Sequence, residues 1–151
     1  MMKASNEIKE LIKGWEGLRL TAYRCPAGTL TIGYGHTGPD VIPGLRISAE
    51  RAAELFEADL ARFEAELNRW MTIDGASLGQ ARYDAVLSFA YNVGTSALRR
   101  STLWKKVCVN ADDSSIPTEF RKWVRAGGRI LPGLVKRRER EALIYAGGKY
   151  D

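Results

Sequence analysis

A chain of 151 residues, 45% hydrophobic and 27% charged, has the length of one folded domain and excludes a disordered or fibrous protein. No apolar run nears the ~18 residues of a membrane span, and one histidine with two cysteines excludes a histidine-built metal site or a disulfide scaffold. The net charge of +5 is uneven: from Arg121 to Arg140, eight basic residues stand against one acid, Glu139. That cluster suits a polyanion (nucleic acid, an anionic membrane face, an anionic cell wall) or a merely solvated helix face.

Met1–Glu10 carries four charged residues and no apolar h-region, so synthesis in a cytoplasm is expected. The first helix is predicted from Ser5 to Glu16. Ser5 or Asn6 caps it, Ile8, Leu11, Ile12 and Trp15 form one apolar stripe, and Gly17 stops it. Five glycines and three prolines then punctuate residues 18–47, leaving two short β-prone runs, Leu18–Tyr23 and Thr29–Tyr34. Ser48 is placed to cap a long helix reaching Trp70, with Phe56, Leu60, Phe63 and Leu67 in helical period. Ser77-Leu78-Gly79-Gln80 has capping-box spacing before a helix apolar on nearly every side, from Tyr83 to Val93. Helices over 96–109, 117–126 and 134–146 complete the expectation. The elements amount to an α+β fold with a groove between a small β-rich lobe and a larger all-helical one.

Among chemistry-bearing residues, Glu16 ends the first helix beside its apolar stripe. Helix-end partial charge and lost hydration there both favour the protonated carboxyl that a general acid needs. Position alone equally suits a solvated glutamate. Thr31 shares a strand face with Thr29, opposite Leu30 and Ile32. His36, the lone histidine, fits a structural hydrogen-bonding role in a turn, and Cys108 fits a small core or near-surface position.

Eight residues separate Glu16 from Cys25 and five separate Cys25 from Thr31, followed by the word Gly33-Tyr34-Gly35-His36-Thr37. This stretch closely resembles the active-site region of phage lysozymes of the T-even and lambdoid type. The resemblance extends through Gln80, Tyr83–Gly94, Trp123, Gly127-Gly128 and Leu131–Arg138. It implies a lysozyme-like fold: one catalytic domain over 1–151, with a β-rich lobe at about 17–47 and a connecting helix at about 48–70. The helical lobe would then take about 71–151 together with helix 5–16. It further implies an endolysin muramidase that cuts the β-1,4 bond between N-acetylmuramic acid and N-acetylglucosamine, with inversion.

In that reading Glu16 is the acid, and Cys25 with Thr31 holds the attacking water. Aspartate and cysteine both occur at the Cys25 position in the family. A thiol of reference pKa about 8.5 leaves three roles open: thiolate base, neutral water-orienting group, or nucleophile giving retention. His36 supports the site. Arg137 or Arg138 reaches Glu16 or the carboxylates of the substrate, and the basic C-terminal face attracts the anionic wall. Peptidoglycan is the expected partner of a monomer, with no cofactor, metal, nucleic acid or membrane anchor. The enzyme would be made in the host bacterial cytoplasm and would act on the wall in the periplasm after release through a separate pore. Two rivals are a lytic transglycosylase using the same glutamate and a non-catalytic wall-binding module; the presence of Glu16 and Thr31 argues against the second.

Overall fold

The computed structural model describes residues 1–151. Helix α1 (Asn6–Glu16) starts at Ser5, whose hydroxyl accepts the Ile8 N–H, and buries Ile8 and Ile12 completely. Gly17, at φ +71, ends it and donates to the Lys13 carbonyl. Strands β1 (Arg19–Arg24) and β2 (Leu30–Gly33) pair antiparallel, with Tyr23 opposite Thr31 and an irregularity between Arg19 and Tyr23. Ile32, Val41 and Leu55 form the small core of this lobe.

Helix α2 (Ala49–Asp74) is capped by Ser48 and runs four residues past the expected end, until Gly75 adopts the left-handed conformation. Its 26 residues span roughly 39 Å at 1.5 Å each. It serves both lobes: Leu55 packs into the small core, while Phe56, Leu60 and Leu67 join the main core of 22 buried residues. At the centre of that core lies α3 (Gln80–Val93), buried without a break from Tyr83 to Tyr91. All-round apolar character in the sequence is therefore what it looked like, a central helix.

Four local expectations are corrected. The capping box does not form: α3 is preceded by Gly79 without a side-chain cap, and the Gln80 side chain donates to the Lys3 carbonyl and Asp84 instead, each at 2.8 Å. The helix expected over 96–109 is two, α4 (Thr95–Arg100) and α5 (Thr102–Val109). Ser101 breaks it; its hydroxyl donates to the Leu98 carbonyl and accepts the Trp104 N–H, replacing helix continuation with a cap. Helix α6 (Ile116–Arg121) starts one residue early but stops short, and the expected tail is a hairpin of β3 (Arg125–Ala126) and β4 (Arg129–Ile130). The last helix, α7 (Pro132–Gly147), is longer than expected and ends at Gly148. The hairpin turns on Gly127 and Gly128, both at positive φ. A Cβ on Gly127 would come within 2.6 Å of the Pro26 carbonyl, so this tip of the helical lobe touches the β1–β2 loop of the other lobe.

Candidate active site

Glu16 is delivered by α1, whose buried isoleucines fix the helix and whose glycine stop sets where it ends. Its Oε2 lies 2.6 Å from Nη1 of Arg137, on α7. Gly35, at φ +81, sits against the other oxygen: a Cβ there would collide with Glu16 Oε1 and stand 3.0 Å from Cδ. The Gly-Tyr-Gly-His turn thus needs its second glycine for close approach to this carboxyl. The sequence names an arginine as a partner of Glu16 and leaves open which of Arg137 and Arg138 it is.

Of the two candidate arginines, Arg137 is the one that reaches Glu16. Its Nε donates to Glu141 Oε2 at 3.2 Å, its Nη2 to the Ser88 carbonyl at 3.0 Å, and its guanidinium lies 5.1 Å from the Trp15 ring centre. Burial works against the charge on Arg137, but Glu16 and Glu141 outweigh it and raise the pKa of the guanidinium. Arg138 faces away from Glu16, donating to the Trp123 carbonyl at 2.9 Å, to Glu141 Oε1 at 2.5 Å and to Asn92 Oδ1. Both arginines are buried, and Arg121 pairs with Glu139 at 2.7 Å. The C-terminal basic cluster is therefore divided: Arg121, Lys122, Arg125, Arg129 and Lys136 are exposed, whereas Arg137 and Arg138 are not. Its two central charges are internal, because α7 turns them toward the carboxylates of the core, so they cannot steer the protein to an anionic wall.

The β-lobe side is built differently. Cys25 follows β1; its N–H donates to the Thr29 carbonyl at 3.0 Å and its own carbonyl accepts the Gly28 N–H at 2.8 Å, a tight turn. Burial pushes the half-buried thiol up, but the N–H groups of Thr29 and Ala27 and the hydroxyls of Thr31 and Thr29 outweigh it, so the net effect favours the thiolate. Thr31 is 3% exposed and its hydroxyl donates to the Thr29 carbonyl at 2.9 Å. Cys108, by contrast, has its thiol pushed up by burial and by the charge of Asp74, against Arg99.

Tyr23, which the sequence did not single out, links the two sides. Its phenol is pushed up first by burial, then by the charge of Glu16, against Arg19, and further by Cys25. Its place directly opposite Thr31 was readable only once the strand register was known. His36 sits one residue after Gly35, with Nδ1 2.8 Å from Asp59 and Nε2 2.9 Å from Asp40. Burial lowers the imidazole's tendency to protonate, and the two aspartates more than restore it. Because Asp59 belongs to α2, His36 anchors the turn that carries Gly35 onto the long helix. No distance places it on Glu16, Cys25 or Thr31.

Residues 13–141, which include Glu16, Cys25, Thr31, His36, Arg137 and Arg138, match the family model described as phage lysozyme. The chain belongs to the phage lysozyme family. It is 43% identical over 148 residues to an endolysin of Acyrthosiphon pisum secondary endosymbiont phage 1, covering 95% of this chain and 98% of that one. It is 42% identical over 151 residues to an endolysin of Bacillus phage B103, covering 98% of this chain but 56% of the other; it spans about half the length of that relative. The structure superposes on the endolysin from Escherichia coli O157:H7 phage FAHEc1 with a TM-score of 0.80 at 32% identity, covering 99% and 97% of the two chains. The fold is thus that of a phage lysozyme over its whole length.

Proposed function

We propose that this phage lysozyme is an endolysin muramidase, a single-domain monomer that hydrolyses the β-1,4 bond between N-acetylmuramic acid and N-acetylglucosamine in peptidoglycan. The observation that carries the reading is the pairing of Glu16 with Arg137 at 2.6 Å on the helical-lobe side, with Cys25, just after β1, and the buried Thr31 of β2 on the other. Glu16 gives its proton to the glycosidic oxygen as the bond to the anomeric carbon breaks. Arg137 keeps the carboxyl aimed and balances the carboxylate left behind. On the opposite face a water, held by Cys25 in the setting Thr31 provides, adds its oxygen to the anomeric carbon. The thiolate takes the proton the water releases, and the product forms with inverted configuration. The carboxylate-bearing wall is the partner, met in the periplasm after release through a separate pore.

The test is a digest of purified peptidoglycan followed by turbidity and by product mass. Turbidity should fall, and the fragments should end in reducing muramic acid. Fragments lighter by one water, with 1,6-anhydro ends, would make the protein a lytic transglycosylase. Binding without any fragments would make it a wall-binding module.

A further inference from the structure

Glu141 is fully buried, and both its oxygens are occupied. Oε2 accepts from Ser88 Oγ at 2.5 Å and from Arg137 Nε at 3.2 Å; Oε1 accepts from Arg138 Nη1 at 2.5 Å. The proposed mechanism gives it no task. Yet with Glu16 it makes a cluster of two acids and two arginines, neutral as a whole, of which only Glu16 has appreciable solvent contact, at 16% side-chain exposure. A buried cluster left with net charge is strongly disfavoured, so the balance matters energetically.

We propose that Glu141 is a positioning residue for Glu16, acting through Arg137. This rests on the reading of Glu16 as the acid. Two physical effects operate. Glu141 and the Ser88 carbonyl take Nε and Nη2 of Arg137, so only Nη1 is left to face Glu16 and the guanidinium plane cannot turn. Glu141 also absorbs one arginine charge. Without it, two guanidinium charges would bear on Glu16 alone, holding it as carboxylate at pH values where a general acid must still carry its proton. Arg138 depends on the same carboxylate: burial pushes its guanidinium down, Glu141 opposes this, and the charge of Arg137 adds to the push.

The other groups around Glu16 do not duplicate this control. Tyr23 of β1 and Tyr91 of α3 feel its charge but are neutral phenols, pushed up chiefly by burial. On α1 itself, Lys13 lies over the rings of Tyr34 and Phe56, at 5.7 and 5.2 Å.

The experiment is the pH profile of kcat/KM for peptidoglycan hydrolysis by purified enzyme. In Glu141→Gln the alkaline limb should move to lower pH by about one unit, the order expected of one uncompensated charge at this range. Adding Arg138→Met to that variant restores neutrality and should bring the limb back. A purely packing role for Glu141 would lower the plateau and leave the limb in place; that result, or no recovery in the double variant, overturns the proposal. If Glu141→Gln does not fold, Arg138→Met alone leaves the cluster negative and must move the limb to higher pH, and an unmoved limb again overturns it. Glu16→Gln is assayed alongside. Should that variant stay active, the acid assignment and this proposal fall together; an unmoved limb in an enzyme that needs Glu16 removes only the role of Glu141.

Discussion

The helical-lobe side and the β-lobe side of the site hold their reactive groups by opposite means. Glu16 stands at the junction of α1 and α7, backed by the 22-residue core and gripped by charge, with every guanidinium nitrogen of Arg137 committed. Cys25 stands at a turn between two short strands over a three-residue core, tied through its backbone to Thr29 and Gly28 and outside any ion pair. A proton donor must not change its environment as it discharges, and buried ion pairs with saturated geometry provide that fixity. A group that holds water must accept a small mobile molecule beside it, a task suited to a thiol outside any ion pair. The contrast supports the different chemistry proposed for the two sides.

The largest effect expected from breaking this contrast comes from Glu16→Gln. Lysis should fall by about 10²–10⁴, the usual worth of a general acid, while circular dichroism and melting stay close to those of the parent. Retention of lysis within about threefold at equal folded concentration would remove Glu16 from the chemistry. On the β-lobe side, Cys25→Ala should cost on the order of 10² in initial rate because no group then accepts the proton of the water. Cys25→Asp should stay within about tenfold of the parent, since a carboxylate of similar reach can do the same. Equal rates for the two variants would show that the position takes no proton.

The smallest effect concerns stability and the anchor between the sides. The folded-state pKa of His36 is raised by Asp59 and Asp40, so its contribution is fully present below the unfolded value of about 6.5 and is lost as pH rises through the folded value. Tm measured from pH 6 upward should therefore decline more in the parent than in His36→Gln. Parallel curves would show that protonation of His36 does not hold the turn to α2.

Much of this arrangement was legible in the residues. Caps such as Ser5 and Ser48, glycine stops such as Gly17 and the all-round apolar run Tyr83–Tyr91 are local signals, and local signals fix where helices begin, end and lie. The spacing of Glu16, Cys25 and Thr31 with the Gly-Tyr-Gly-His-Thr word points to the site proposed above. What escaped was decided by contacts remote in sequence. A run of basic residues looks the same whether it faces water or, like Arg137 and Arg138, buried carboxylates. Arg125-Ala126, the first strand of the hairpin, reads as the end of a helix that stops before Gly127-Gly128, because only contact with Pro26 gives the hairpin its place. Ser101 lay inside an apparently helical run, and its capping hydroxyl ended the helix there.

The division of labour between the two sides is tested most directly by the anomeric configuration of the product. Proton NMR within minutes of mixing wild-type enzyme with soluble glycan strands, before mutarotation, reads it. If Cys25 activates water opposite Glu16, the new reducing end appears first as the inverted α anomer. First appearance of the β anomer would mean retention, with Cys25 as a nucleophile bonded to sugar, and would contradict the assignment of the β-lobe side as the one that holds water.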